Sequence, residues 1–189
     1  KGVVWGYAPK GTNYSYSIWN QSEDLIKKVV DKEFALMKAA NINAIRTFGI
    51  VPPEWVTYIY EQYGIMTLIN PLFGRYGATI GGVWKANTNY QDELTRKTLI
   101  ADFVEVVEQY KDVPGVLMFA LGNESNYGLS WSSFEIENLP EGEQNAEKAK
   151  FLYSLFAEAI DAGKKIAPDH LFTIVNGDIQ YIDLIAEYG

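Results

Sequence analysis

The chain has no cysteine and only one histidine among its 189 residues. The lack of cysteine excludes disulfide bonds, thiol nucleophiles and cysteine-ligated zinc, and it leaves the cellular compartment open. The single histidine, His170, is predicted to lie in a helix-to-strand connection, at the end of the sheet away from the carboxyl ends of the strands. A Ser-His-Asp triad or a metal site with several histidines is therefore unsupported, and we expect no metal and no cofactor.

An excess of positive charge and a long apolar run are also lacking. Lys and Arg number 16 against 24 Asp and Glu, which gives a formal net charge of −8. Because this average field repels phosphate backbones, nucleic acid is not an expected partner. No apolar stretch approaches the ~18 residues of a membrane-spanning helix, so a membrane is not expected either. Aromatic residues are abundant at 14%, and such rings suit both sugar binding and core packing.

Strand patterns alternate with helix patterns along the whole chain. The predicted strands cover residues 3–7, 44–48, 65–69, 116–121 and 171–175, and the predicted helices cover 22–40, 52–63, 92–111, 146–166 and 178–187. Such alternation favours parallel strands with right-handed crossovers. It fits either a barrel or a doubly wound sheet, and the order of the strands does not follow from it. The chain lacks the glycine-rich phosphate loops that mark the two common nucleotide-binding forms of the doubly wound sheet.

The segment Gly122-Asn123-Glu124-Ser125 follows the apolar run at 116–121. A run of this kind, bounded by glycines, is typical of a buried parallel strand, and ligands bind at the carboxyl ends of such strands. Glu124 is therefore placed where chemistry takes place. The alternative is that its carboxylate caps the next turn or pairs with a lysine at the surface.

Three segments resemble the catalytic barrel of family 2 glycoside hydrolases, which belong to the clan of retaining (β/α)8 glycosidases. They are DKEFALMKAANINAIRT at 31–47, EQYG at 61–64 and LGNES at 121–125, and KGVVWGYAP at 1–9 resembles the first strand of that barrel. The resemblance runs from the first residue to about position 175. It implies an α/β fold of the TIM-barrel type, a partial barrel of about five strand-helix units, and a single domain over 1–189.

The resemblance also implies roles for individual residues. Glu124 matches the general acid/base, Asn123 matches the neighbour that binds the sugar 2-hydroxyl, and Arg46 matches an arginine that keeps the nucleophile ionised. Retaining glycosidases need one protonated and one ionised carboxyl group, about 5 to 5.5 Å apart. Arg46 has a second interpretation as the partner of a structural ion pair.

Further residues that follow the predicted strands are candidates for contacts with the sugar. They are Asn70, Phe73, Arg75 and Tyr76 after the third strand, Tyr127 and Trp131 after Glu124, and Asn176 and Asp178 after the fifth strand. For each aromatic or polar side chain of a loop, packing within the loop is an equal alternative. Asp178 has the further alternative of being the N-cap of the next helix.

The nucleophile of the family is a glutamate at the end of the seventh strand, and no residue of this chain matches it. Glu187 is predicted to lie in a helix, and Glu135, Glu137, Glu141 and Glu143 are predicted to lie in a loop. We therefore expect either a fragment of a longer polypeptide or an incomplete barrel, whose open edges the rest of the barrel or a second copy covers.

The expected function is hydrolysis of a β-linked oligo- or polysaccharide by a retaining mechanism. The alternatives are a transglycosylase on the same scaffold, a carbohydrate-binding module without activity, and an unrelated barrel or doubly wound enzyme.

Overall fold

The computed structural model describes residues 1–13 and 15–188; Tyr14, in the first predicted loop, and Gly189, at the end of the predicted domain, lie outside the described residues. The strands are β1 (Gly2–Val4), β2 (Ala44–Arg46), β3 (Met66–Ile69), β4 (Ala78–Ile80), β5 (Val83–Lys85), β6 (Val116–Leu121) and β7 (Phe172–Ile174). The helices are α1 (Glu23–Ala39), α2 (Pro53–Tyr63), α3 (Glu93–Tyr110), α4 (Phe134–Glu137), α5 (Glu141–Ile166) and α6 (Ile182–Tyr188).

Five of the strands form one sheet in the order β1-β2-β3-β6-β7, and the first four pair in parallel. Each strand therefore lies beside the next sheet strand along the chain. A doubly wound sheet would reverse direction at a switch point, whereas a barrel adds its strands in chain order. The order confirms the TIM-barrel alternative, with about five strand-helix units.

The first two strands of the sheet, β1 and β2, end earlier than predicted. The last bond between β1 and β2 joins the Trp5 N–H to the Arg46 carbonyl, and the Thr47 hydroxyl then donates to the Gly49 carbonyl. The chain thus turns away from the sheet directly after Arg46. Residues 47–48, predicted as strand, belong to the loop at the carboxyl end of β2.

The described chain divides into two compact units. Unit 1 comprises Lys1–Asn70 and Gln109–Phe119, and unit 2 comprises Pro71–Glu108 and Ala120–Gly189. The single domain over 1–189 stays a prediction. In the described ranges, no helix is both long and apolar enough to cross a membrane.

In unit 1, the apolar face of α1 is shifted from the predicted one. Ile26, Val29, Val30, Phe34 and Met37 are buried, at the spacing of an amphipathic helix. The sequence pattern places Leu25 and Leu36 on the apolar face of this helix, but both are exposed. Gly64 follows the predicted second helix in the position favoured for a left-handed C-cap, and its φ of 68° at the end of α2 confirms this expectation.

In unit 2, the glycine-rich segment after β3 contains a β-hairpin that was predicted as loop. β4 and β5 pair antiparallel, and Gly81 and Gly82 form the two-residue turn with φ of 58° and 78°. Positive φ at both positions is the type I′ geometry that hairpins prefer. The Gly-Gly pair between Ile80 and Val83 is the signal that sequence reasoning missed.

The acidic segment after β6 is helical rather than a loop, so its prediction was wrong. Glu135 and Glu137 lie in α4, and Glu141 and Glu143 lie in the first turn of α5. Acids are favoured in the first turn of a helix because they interact with its positive end. Pro140 occupies the N-cap of α5, which therefore begins five residues before the predicted start.

Candidate active site

Glu124 lies in a tight turn directly after β6. Its backbone is left-handed, with φ 50° and ψ 43°, and a short 3-10 helix, Ser125–Tyr127, follows it. The Glu124 carbonyl accepts the Tyr127 N–H at 2.9 Å, while the side chain of Glu124 is exposed. A non-glycine residue in this backbone conformation carries strain of about 1–3 kcal/mol, which surrounding contacts must hold in place.

The loop after β3 supplies some of those contacts. The Arg75 Nε donates to the Glu124 carbonyl oxygen at 3.0 Å, and the guanidinium lies 4.8 Å from the centre of the Tyr76 ring. The Tyr76 hydroxyl accepts the Asn123 Nδ2–H at 2.8 Å. Four predicted site residues therefore meet at the carboxyl end of β6.

A second group of predicted residues meets around Asp178. Its carboxylate accepts the Asn126 amide at 2.5 Å, the Tyr127 hydroxyl at 3.0 Å and the Gln180 N–H at 2.8 Å. These bonds, that of Gln180 foremost, hold the pKa of Asp178 below its usual value, and the bond to Asp178 raises the pKa of Tyr127. The N-cap interpretation of Asp178 was wrong because α6 begins only at Ile182.

Sequence reasoning missed Asn126. Its side chain joins the turn after β6 to the chain after β7, because its amide donates to Asp178 and its Oδ1 accepts the Gly177 N–H at 2.8 Å. The available signal was its place two residues after Glu124. The neighbouring Asn176 was predicted at the site, and its amide donates to the Tyr153 hydroxyl at 2.9 Å.

Two predicted aromatic residues are buried in the core of unit 2. Phe73 stacks on Phe156 with 5.2 Å between ring centres, and Trp131 packs edge-on against Tyr90 and Phe151. The structure favours the packing alternative for both. Sugar contacts by these two rings would require the loops to open.

In unit 1, Arg46 and Asn70 lie together at the carboxyl ends of β2 and β3. The Arg46 Nε donates to the Asn70 Oδ1 at 2.7 Å, and the guanidinium lies 5.4 Å from the centre of the Phe48 ring. Asn70 is fully buried. A fixed guanidinium at a strand end is able to hold a carboxylate in its ionised form, the role that the resemblance implies for Arg46.

The groups present define the chemistry that the site supports. In unit 2, exposed Glu124 has its backbone carbonyl bonded to the Arg75 guanidinium. The Asn123 amide beside it is bonded to the Tyr76 hydroxyl, and the Tyr127 hydroxyl is bonded to a second carboxylate, that of Asp178. Among residues 1–13 and 15–188, no cluster of His, Cys, Asp or Glu has the makeup of a metal site. This arrangement suits proton transfer and hydrogen bonding to a polar ligand.

Parallel strands in chain order, with polar residues at their carboxyl ends, define a protein of the (β/α)-barrel class. The profile of the family described as glycosyl hydrolases family 2, TIM barrel domain, matches residues 23–137. The chain belongs to this family.

Several known proteins are similar to this chain in sequence or in fold. A β-galactosidase from Actinobacillus pleuropneumoniae is 24% identical over 54% of this chain and 13% of its own length. A β-glucuronidase structure from Parabacteroides merdae superposes with a TM-score of 0.58 at 15% identity, covering 89% of this chain and 17% of the other. A β-mannanase structure from the blue mussel Mytilus edulis superposes with a TM-score of 0.56 at 12% identity. The superposition covers 86% of this chain and 55% of the mannanase.

These structural likenesses show the fold. The chain spans 13% of the length of the β-galactosidase and 17% of the β-glucuronidase.

Proposed function

We propose that this chain is part of the catalytic barrel of a glycoside hydrolase that cleaves a β-linked saccharide with retention of configuration. Glu124 is the general acid/base in this proposal, and the nucleophile lies outside the chain. The observation that carries the proposal is the exposed carboxyl group of Glu124, in a held left-handed turn at the end of β6, in a chain of the family 2 barrel.

The proposed reaction has two steps. In the first, the protonated Glu124 gives its proton to the leaving glycosidic oxygen while the nucleophile attacks the anomeric carbon. In the second, the Glu124 carboxylate takes a proton from the water that releases the sugar. Asn123 would bind the sugar 2-hydroxyl through its side-chain amide, whose plane is fixed by the bond to Tyr76.

The test is Glu124→Gln in the protein that carries this chain. Glutamine keeps the size of the side chain but cannot donate a carboxyl proton, so kcat for an unactivated β-disaccharide should fall about 10²- to 10⁴-fold, as expected for loss of general acid/base catalysis. The rate of the first step for a glycosyl fluoride should fall far less, because fluoride leaves without protonation. Both are measured by steady-state and single-turnover kinetics.

Glu137→Gln is the matched control, since it makes the same change at an exposed glutamate of α4. It should keep the activity of the wild type. Ordinary turnover of the disaccharide by Glu124→Gln would remove the proposed role.

A further inference from the structure

The hairpin arm, residues 76–85, carries an exposed indole that the proposed reaction does not use. Trp84 is 62% exposed, the largest exposed ring of the arm. Its ring lies against Gly77, because a Cβ added there would lie 2.5 Å from Trp84 Cζ2 and 3.0 Å from Cε2. Only glycine leaves room for this close approach. One part of the ring is thus packed on the backbone, and most of it remains open to solvent.

The arm holds this ring in place. Trp84 pairs with Thr79 across the hairpin, and Ile80 is buried in unit 2. A large ring that is already fixed loses little conformational entropy when a ligand covers it. Exposed tryptophans that are held in this way are good binding groups.

The base of the arm is bonded to the residues of the proposed reaction. Tyr76, next to Gly77, accepts the Asn123 amide at 2.8 Å, and Arg75 donates to the Glu124 carbonyl at 3.0 Å. A carboxyl group that protonates the leaving oxygen must face the leaving group. The ring of Trp84 packs on Gly77, the residue next to Tyr76, whose hydroxyl is bonded to the neighbour of Glu124, Asn123.

We propose that Trp84 is the platform for a pyranose ring on the leaving-group side of the cleaved bond. The inference rests on the proposed function and deepens it, because it makes the leaving group a sugar and the substrate a di- or oligosaccharide. The C–H face of a pyranose is apolar and covers an indole, while its hydroxyl groups stay hydrated or reach polar neighbours. Tyr76, a residue that is 52% exposed, carries a hydroxyl that is such a neighbour.

The test compares Trp84→Ala and Trp84→Phe with the wild-type protein that carries this chain. The substrates are lactose, cellobiose and β-mannobiose, together with the glycosyl fluoride of whichever sugar is cleaved. For the disaccharide, Trp84→Ala should lower kcat/KM about tenfold, the factor that corresponds to about 1.4 kcal/mol. Trp84→Phe should lower kcat/KM for the disaccharide by a smaller factor, because an aromatic ring remains. The fluoride should be hydrolysed at the wild-type rate by all three proteins, because its leaving group is one atom.

Phe134→Ala is the matched control, because it removes another exposed ring of unit 2 and should change neither rate. An equal loss on disaccharide and fluoride would make Trp84 a structural residue and overturn the inference. Unchanged rates on both substrates would also overturn it, and would leave the exposed ring as a surface for a protein partner.

A binding experiment separates this inference from the proposed function. If the wild-type protein cleaves none of these substrates, the proposed function fails, and the three disaccharides are titrated against the intrinsic tryptophan fluorescence. A saturable change that is absent in Trp84→Ala supports the platform. No change in the wild type, or the same change in Trp84→Ala, overturns it.

Discussion

At the scale of single residues, Arg75 is the side chain on which the geometry of Glu124 depends most directly. Its Nε donates to the Glu124 carbonyl, which holds a strained left-handed residue. We expect Arg75→Ala to lower kcat about tenfold or more with little change in KM, since small displacements of a catalytic group are costly. Arg75→Lys should recover little of the lost kcat, because lysine lacks the planar fork of donors.

Chemical rescue distinguishes positioning from a merely structural role. Guanidinium ions added at millimolar concentration should restore part of the kcat of Arg75→Ala. The control is Lys85→Ala, which removes another cation of the same segment, and its kcat should not respond to guanidinium. A rise in KM at unchanged kcat would contradict the prediction and would place Arg75 in contact with the substrate. Both parameters come from initial rates with and without guanidinium.

Sequence reasoning selected most of the polar residues that meet at the carboxyl end of β6, and it did not select the exposed Trp84. Asn123, Glu124, Arg75 and Tyr76 were predicted because residues that follow parallel strands share one edge of a sheet. Whether an aromatic residue of a long loop faces inward depends on partners that are distant in the chain. Trp131 was predicted to face a ligand but is enclosed by rings of other segments.

At the scale of elements, one carboxylate links α1 to α2. Asp31 accepts the Tyr58 and Tyr63 hydroxyls at 2.6 and 2.7 Å and pairs with Lys27 at 2.5 Å. The bond from Lys27, followed by those from the two tyrosines, lowers the pKa of Asp31 to about 2. A pKa below the unfolded value means that the ionised carboxylate stabilises the fold above about pH 4, and that this contribution is lost as the pH falls toward 2.

Asp31→Asn should therefore lower the free energy of unfolding at pH 7. The side chain is 38% exposed, so solvent screening limits the loss to about 0.5–1 kcal/mol. The difference from the wild type should shrink between about pH 4 and pH 2 and stay constant at higher pH. Urea unfolding across this range measures it, with Asp24→Asn as the control for net charge. A difference that persists unchanged at pH 2 would contradict the linkage.

The elements also show what the sequence could and could not specify. Helix α2 was predicted closely because proline at its start and Gly64 at its end are strong local signals. The start of α5 was missed because Gly142 in its first turn lowers the local helix propensity, although Glu141 and Glu143 favour a helix start there. The strands ended early because the point where each leaves the sheet depends on pairing with its neighbour, as at Arg46.

At the scale of the whole molecule, the sheet is part of a barrel, and β1 and β7 are its outer strands. A closed barrel has no outer strands. The sequence predicted the alternation of strands and helices, but only pairing fixes their order, because hydrophobic patterns look the same for a barrel and a doubly wound sheet. The proposed mechanism needs a second carboxylate about 5 to 5.5 Å from the first, and the resemblance to the family assigns that role to none of residues 1–189.

We therefore expect the nucleophile to be captured outside residues 1–189 of this sequence. A 2-deoxy-2-fluoro glycoside with a good leaving group should form a stable glycosyl-enzyme with the protein that carries this chain, because the fluorine slows the second step more than the first. Digestion and mass spectrometry then locate the label.

Glu124→Gln should still become labelled when the leaving group needs no protonation. A label on Glu124 itself would make it the nucleophile and reverse the proposed roles, and a label on any other carboxylate of this chain would place the whole catalytic pair within it.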